Sequence, residues 1–230
     1  MKTLPVKPRK RARRENLARE LSRVSEVYER ILLQIVRGEV QSGTALKSTQ
    51  IARELGISRT PVVQALQRLA ADGIVTLEMN KRAVVRPGAE NWLVEIHELR
   101  ELLEPAAAAR AAERITADDL ARLNGLAKRA KPHSHTDWQA AAQEFDFALH
   151  LTVAERSGNF ALGETLRKIW RFKRVSYLAA PERAETLEKG YAEHLALLAA
   201  LAQHDAETAR AAMLFHLRSA AALRGARNIV

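Results

Sequence analysis

The 230-residue chain contains no cysteine and few aromatic residues, 5% in all. Without thiols there is no disulfide, thiolate zinc site, iron–sulfur cluster or cysteine nucleophile, which leaves histidine and aspartate as the metal ligands to look for. The same absence is compatible with a reducing cytoplasm, where the chain is expected to work. No apolar run approaches the roughly 18 residues that cross a bilayer, and the basic N-terminus is not followed by the apolar stretch of a signal peptide. A membrane or secreted protein is therefore not expected. What the chain does have is 47% hydrophobic residues, ample for a buried core in one or two domains, and a formal charge of +10.

That charge is unevenly placed. Residues 1–90 hold 18 Lys and Arg against 9 Asp and Glu, whereas residues 91–230 hold 19 against 18. Residues 1–23 alone carry 9 basic and 2 acidic side chains, many of them in the run Lys7-Pro8-Arg9-Lys10-Arg11-Ala12-Arg13-Arg14. Repulsion among charges this dense predicts an extended, solvated arm over residues 1–23. The arm either adds salt-sensitive phosphate contacts that ignore base sequence or serves only solubility.

Helical periodicity starts at Val24. Val27, Ile31 and Ile35 recur at spacings of three and four, and Gly38 ends this first helix. A loop over Gln41–Lys47 follows, then a two-turn helix from Ser48 closed by Gly56. Ser58 is placed to cap a third helix running to Ala71, with Pro61 in its first turn and Asp72-Gly73 as its stop. Ile74–Leu77 and Ala83–Val85 are short β-prone runs joined by a tip carrying Lys81 and Arg82. Three helices and a two-stranded wing over residues 24–87 make a winged helix-turn-helix, with Pro87-Gly88 as the domain boundary.

The third helix places Val62, Leu66 and Leu69 on one face, leaving Ser58, Arg59, Thr60, Val63, Gln64, Gln67 and Arg68 to point elsewhere. On a helix that enters the major groove, Arg59 is suited to a guanine edge, and Thr60 and Gln64 to phosphate or base. Lys81 and Arg82 add positive charge at the wing. An ordinary solvated helix face is the alternative for this helix alone, but its setting in the basic half favours double-stranded DNA.

Residues 88–230 contain no convincing strand. Their periodicity predicts six helices: Trp92–Glu113, Ala117–Lys128, Trp138–Arg156, Ala161–Leu178, Glu182–Gln203 and Asp205–Ala226. The expected fold class is thus mainly α, a winged helix-turn-helix followed by an all-α helical bundle. Within the bundle, Asp146 and His150 lie four apart on one face. His194 falls on the apolar stripe Leu187, Tyr191, Leu198, Leu201, and His216 on the stripe Ala209, Met213, Ala220, Leu223. A buried imidazole needs a side chain, a water or a metal for its nitrogens, and a single one is ordinarily a satisfied core residue. The Asp146–His150 pair and two further, core-facing histidines on separate helices together make a credible set for zinc, nickel or another divalent ion. His97, His133, His135 and His204 read as loop or surface residues.

Leu46-Lys47-Ser48-Thr49-Gln50-Ile51-Ala52-Arg53-Glu54-Leu55-Gly56-Ile57-Ser58-Arg59-Thr60-Pro61-Val62, with the flanking segments across residues 25–86, resembles the DNA-binding domain of GntR-type bacterial transcription regulators. Two departures stand out: Val63-Gln64 replaces the usual Arg-Glu, and Arg82 replaces the usual glycine at the wing tip. Arg100-x-x-x-Glu104, Asp146-x-x-x-His150, Ser157-Gly158-Asn159, Glu193-His194 and Met213-x-x-His216 are similar to the FCD effector-binding domain of the FadR branch, and the six helices to its shorter, VanR-like group. The resemblance implies a divalent metal on Asp146, His150, His194 and His216, a small organic acid effector held beside it, and a homodimer on a palindromic operator. Arg100 then either clamps an acidic group of the effector or pairs with Glu104. Asn159 either touches the effector or caps the next helix.

The expected function is a ligand-responsive, sequence-specific transcription regulator, a repressor, and not an enzyme. Two other classes remain open at this point: a metal-dependent hydrolase fused to a DNA-binding domain, for which no further acid–base group is evident, and a non-specific architectural DNA binder.

Overall fold

The computed structural model describes residues 9–78, 82–179 and 182–225, and the chain divides into two compact units, Met1–Trp92 and Leu93–Val230. The first unit is built from α1 (Arg9–Val36), α2 (Ser48–Leu55), α3 (Arg59–Ala71) and a small sheet of β1 (Ala45–Leu46), β2 (Val75–Leu77) and β3 (Ala83–Val85). Val24, Val27, Ile31, Leu32 and Ile35 form the buried stripe of α1, facing Val62, Ala65, Leu66 and Leu69 of α3. Tyr28 fixes this pair further by donating its hydroxyl to Asp72 Oδ2 at 2.6 Å. Gly56 ends α2 in the left-handed region, at φ 63°, where a side chain is disfavoured, and its amide bonds back to Ala52 and Arg53.

Three features depart from expectation. The helix α1 begins at Arg9 and not at Val24, so the extended arm is helical from Arg9 onward; residues 1–8 lie outside the described residues. Helix propensity opposes charge repulsion there, since Asn16-Leu17-Ala18-Arg19-Glu20-Leu21 is rich in strong helix formers. The loop at Gln41–Lys47 contains strand β1, which pairs Ala45 with Val84 and Leu46 with Ala83, giving the antiparallel order β1-β3-β2. Two residues carry no readable alternation, so this strand exists through its partner. Finally, the first unit extends past Pro87-Gly88, because Ala89 is buried there and Ser42 Oγ donates to Glu90 Oε2 at 2.7 Å.

The second unit contains α4 (Trp92–Ala112, from Leu93), α5 (Ala117–Arg129), α6 (Trp138–Arg156), α7 (Phe160–Ala179), α8 (Ala184–Ala202) and α9 (Ala206–Gly225). All six expected helices are found, with ends displaced by no more than two residues. The helix α6 lies against α5, α7 and α8, and α8 against α9. Its buried Phe145, Leu149 and Val153 share the core with Leu166, Ile169, Trp170, Leu197, Leu201 and Met213. Small residues set the spacing: a Cβ on Gly163 would lie 3.1 Å from the Ala154 carbonyl oxygen, so α6 and α7 approach closely there. Among the described residues no helix is long and apolar enough to cross a membrane.

The start of α5 is locked by a capping box, in which Asp119 N–H donates to Thr116 Oγ1 and Thr116 N–H to Asp119 Oδ2. Arg156 of α6 adds a two-pronged pair to the same carboxylate, at 2.6 and 3.1 Å. The Arg156 bonds, with those from Thr116, hold the Asp119 carboxyl at about 2 against its ordinary 3.8. A depressed carboxylate stabilises the fold above its unfolded pKa and loses that contribution as pH falls through its folded one. Because Arg156 is partly solvated, the contribution is expected to be about 1 kcal/mol. Urea midpoints of wild type and Asp119→Asn should therefore differ at pH 6 and converge toward pH 2; parallel curves would refute the assignment.

Candidate functional site

On α3, Arg59, Val63 and Gln67 follow one another at helical spacing along the side away from α1, and Ser58, Arg59, Thr60 and Gln67 are exposed. Ser58 stands at the N-cap position but makes no side-chain cap bond. Arg59 Nε donates to Ser48 Oγ at 3.1 Å, which ties the start of α3 to the start of α2. Val63 and Gln64 are half-buried, and Ser48, Arg59, Val63, Gln67 and Leu77 border one groove. Arg82 is exposed at the wing, whereas Lys81 lies outside the described residues.

Arg68 does not belong to this face. It shares the helix side of buried Pro61 and Ala65, donates to Ser25 Oγ at 3.3 Å, and stacks its guanidinium 4.8 Å from the centre of the Tyr28 ring. The seven-residue interval from Pro61 returns it to the α1 side, so Arg68 supports packing. Arg59→Ala is expected to weaken specific DNA binding by about 1–3 kcal/mol, the value of a bidentate base contact. Arg68→Ala is expected to lower the stability of the first unit by about 1 kcal/mol and leave base preference intact. Anisotropy titrations on specific and scrambled duplexes, with parallel urea melts, separate the two; a specificity change in Arg68→Ala would reverse its assignment.

In the second unit, Asp146 and His150 of α6, His194 of α8 and His216 of α9 converge. All four are buried, and one ligand atom from each lies within 4.8 Å of every other. His194 Nε2 is 3.1 Å from His216 Nε2, 3.3 Å from His150 Nε2 and 3.1 Å from Asp146 Oδ1, and His150 Nε2 is 3.4 Å from Asp146 Oδ1. Adjacent ligands on bonds of about 2.1 Å lie about 3.0 Å apart in an octahedron and about 3.4 Å apart in a tetrahedron, so the spacing suits a small divalent cation. One proton on His194 Nε2 satisfies one neighbour at most, whereas a cation satisfies all of them.

Neighbouring groups set the chemical form of each ligand. His150 Nδ1 bonds Glu104 Oε2, and His216 Nδ1 lies 2.9 Å from Glu193 Oε2, so both rings direct Nε2 lone pairs inward. Tyr177 donates its hydroxyl to Asp146 Oδ2, turning Oδ1 to the cluster. Burial lowers the pKa of His150, and burial followed by the His194 and His150 charges takes His216 well below its usual value, which favours neutral imidazoles. Burial would raise the Asp146 carboxyl, but bonding and charge from His194, then His150 and Lys173, hold it well below the ordinary range. Burial works the same way on Glu104, and Arg100 and His150 overcome it, leaving that group at about 2. Burial, with the Asp146 charge next, raises Tyr177 well above 10, so it remains a donor.

The two readings of Arg100 are compatible. Its Nε donates to Glu104 Oε1 at 2.6 Å, its guanidinium lies 4.4 Å from the Trp170 ring centre, and Nη2 has no partner among the described residues. Arg100 also lines a cavity that reaches Asp146, His194 and His216, where Ser219 Oγ and Glu193 Oε1 are two further buried polar atoms without a hydrogen-bond partner among the described residues. Asn159 does not line this cavity. It is exposed, and its Oδ1 accepts the Leu162 N–H at 3.1 Å, capping α7. His97, expected at the surface, is buried with Nε2 2.9 Å from the Leu217 carbonyl oxygen, on the same helix stripe as Arg100 and Glu104. His133 and His135 are exposed, and His204 lies in the turn after α8, bonded to the Ala112 carbonyl. The orienting roles of Glu104, Glu193 and Tyr177 were missed, since each depends on a contact across at least 23 residues.

Residues 95–219 match the FCD domain family, and residues 23–85 match the family described as bacterial regulatory proteins, gntR family. The chain is 29% identical to the HTH-type transcriptional regulator LutR of Bacillus subtilis, over 80% of this chain and 92% of that protein. It is 27% identical to the putative L-lactate dehydrogenase operon regulatory protein of Escherichia coli, over 87% of this chain and 85% of that one. Among solved structures, E. coli McbR/YncC is similar in fold, with a TM-score of 0.64 and 24% identity, over 90% of this chain and 98% of the other. These domains and relatives are those of transcription regulators and not of enzymes, which sets the hydrolase alternative aside. With a winged DNA-binding domain ahead of an FCD domain, the chain belongs to the GntR family of bacterial transcription regulators.

Proposed function

We propose that this regulator is a homodimeric repressor whose C-terminal unit holds one divalent ion, zinc or nickel, on Asp146, His150, His194 and His216 and binds a small organic acid beside it. The observation that carries this reading is the convergence of three imidazole Nε2 atoms and one carboxylate oxygen next to a cavity with unpartnered Arg100 Nη2 and Ser219 Oγ. When bound, the ion supplies positive charge for an acid carboxylate. Arg100 then orients the acid from its free Nη2 edge, while Glu104 keeps the guanidinium in place. In the N-terminal unit, Ser58, Arg59, Thr60, Val63, Gln64 and Gln67 read the operator, helped by Lys81 and Arg82 at the wing. The methyl groups of Val63 suit a thymine methyl where an arginine would seek guanine. The E. coli relative is named as a putative regulator of an L-lactate dehydrogenase operon, which accords with an organic acid as signal.

The test takes purified protein of measured metal content, selects an operator from random duplexes, and titrates it with and without short carboxylic acids. One metal per chain and a 5- to 150-fold loss of operator affinity with at least one acid are expected, for a coupling of about 1–3 kcal/mol. No stoichiometric metal, or no duplex that outcompetes random DNA at any salt concentration, would overturn the reading; the second result would instead favour the architectural binder.

A further inference from the structure

The cavity beside the Asp146–His194–His216 cluster is lined by three basic side chains, Arg100 of α4, Lys173 of α7 and Lys189 of α8, of which Arg100 and Lys173 are buried and Lys189 is exposed. Lys173 is only 8% exposed; its ammonium lies 3.2 Å from Glu182 Oε1 and 4.3 Å from the centre of the Tyr177 ring. Tyr177 in turn donates to Asp146. Lys173 therefore stands one aromatic ring away from the carboxylate of the cluster, and its charge helps keep Asp146 ionised.

Three carboxylates line this cavity. Asp146 faces imidazoles and Glu193 meets His216 through Oε2, leaving Oε1 without a hydrogen-bond partner among the described residues, whereas Glu182 faces Lys173. Glu182 lies outside both α7 and α8, just before the latter begins at Ala184, and its side chain is 18% exposed. A carboxylate in the wall of an anion-binding cavity opposes its ligand, while a buried ammonium is costly without a counter-charge. Both conditions are met when Glu182 serves as a counter-ion that a ligand can replace.

We propose that Lys173 is a second carboxylate-binding cation of the effector cavity, occupied by Glu182 until the effector arrives, and that the effector is a short dicarboxylic acid whose far carboxylate displaces Glu182. The inference rests on the acid-binding reading above. Glu182 then acts as an internal competitor that sets the concentration at which the acid is sensed. A monocarboxylic acid leaves the Lys173–Glu182 pair in place and gains nothing from Lys173.

The test uses full-length, metal-loaded protein, with succinate and butyrate as probes and titration calorimetry as the readout. Wild type should prefer succinate. Glu182→Gln removes the competing charge and should raise succinate affinity about tenfold while leaving butyrate affinity unchanged. Lys173→Met should bring the succinate-to-butyrate ratio close to one. Reading the ratio cancels any general weakening of the cavity, and Glu182→Gln stands alone should Lys173→Met not fold. If both acids bind and the ratio is the same in wild type and Glu182→Gln, the dicarboxylate inference fails while acid binding survives. If neither acid binds the metal-loaded wild type, the acid-binding reading and this inference fail together.

Discussion

Replacing His194 by alanine is expected to abolish stoichiometric metal binding and to make the C-terminal unit indifferent to chelation. His194 Nε2 occupies the node of the cluster, within 3.3 Å of His150 Nε2, His216 Nε2 and Asp146 Oδ1. Loss of a residue that merely orients a ligand costs about 10- to 100-fold in metal affinity, so loss of this ligand should exceed that range. A metal present at a thousand times its Kd stabilises the native state by about 4 kcal/mol. For a unit of this size, removing it should lower the Tm of wild type by about 10 °C or more. Scanning calorimetry of wild type and variant, each with and without a chelator, checks this directly. The packing defect left by the smaller side chain is common to both scans of the variant, so the chelation-induced difference isolates the ion. Operator affinity without acid should be nearly unchanged, since the substituted residue lies in the other unit. One tightly bound metal per chain in His194→Ala would show that the ligands have been wrongly assigned.

Glu104→Ala should be the most damaging single substitution for stability among the charged residues of the same unit. Glu104 is 1% exposed and accepts from Arg100 Nε at 2.6 Å, from Trp170 Nε1 at 2.9 Å and from His150 Nδ1. Its removal takes from the Arg100 guanidinium, itself 2% exposed, the one carboxylate hydrogen-bonded to it among the described residues. Breaking a buried pair in this one-sided way costs about 3–5 kcal/mol. Glu144, which pairs with Arg129 at 2.9 Å with both side chains more than half exposed, provides the control. Glu144→Ala should cost about 0–1 kcal/mol. Equilibrium urea unfolding of the two variants should thus differ severalfold in ΔΔG. A loss below 1 kcal/mol for Glu104→Ala would mean that the guanidinium finds another partner or reaches water. The pair Arg100→Leu with Glu104→Leu should be less destabilising than Glu104→Ala, because neither charge of this pair is then left buried without the other.

Much of the architecture was legible because amphipathic helices announce themselves. The stripes through Val24–Ile35, Leu187–Leu201 and Ala209–Leu223 located their helices, and the position of His194 and His216 on two of those stripes pointed inward. What stayed hidden depends on partners distant in sequence. Ala45 and Leu46 become a strand only beside Val84 and Ala83. Arg68 looked like a groove-facing cation because its attachment to Ser25 and Tyr28 joins two different helices. Glu104 is visible in sequence as the partner of Arg100 four residues earlier, yet its contact with His150 spans 46 positions and leaves no periodic trace. Local pattern thus placed His194 and His216 inside the bundle and Asp146 beside His150 on one helix face, but not the residues that turn each toward the others.

Trp170 gives the cluster an optical consequence. Its ring centre lies 4.4 Å from that of His150, with Arg100 against one face and Glu104 at its indole nitrogen. An excited indole so close to an ion with a partly filled d shell loses its energy to that ion, whereas a filled shell offers no such route. Nickel at the cluster therefore darkens Trp170, zinc leaves it bright, and the emission of Trp92 and Trp138 that persists in Trp170→Phe supplies the background. The two candidate ions can accordingly be told apart by light emitted from within the protein itself.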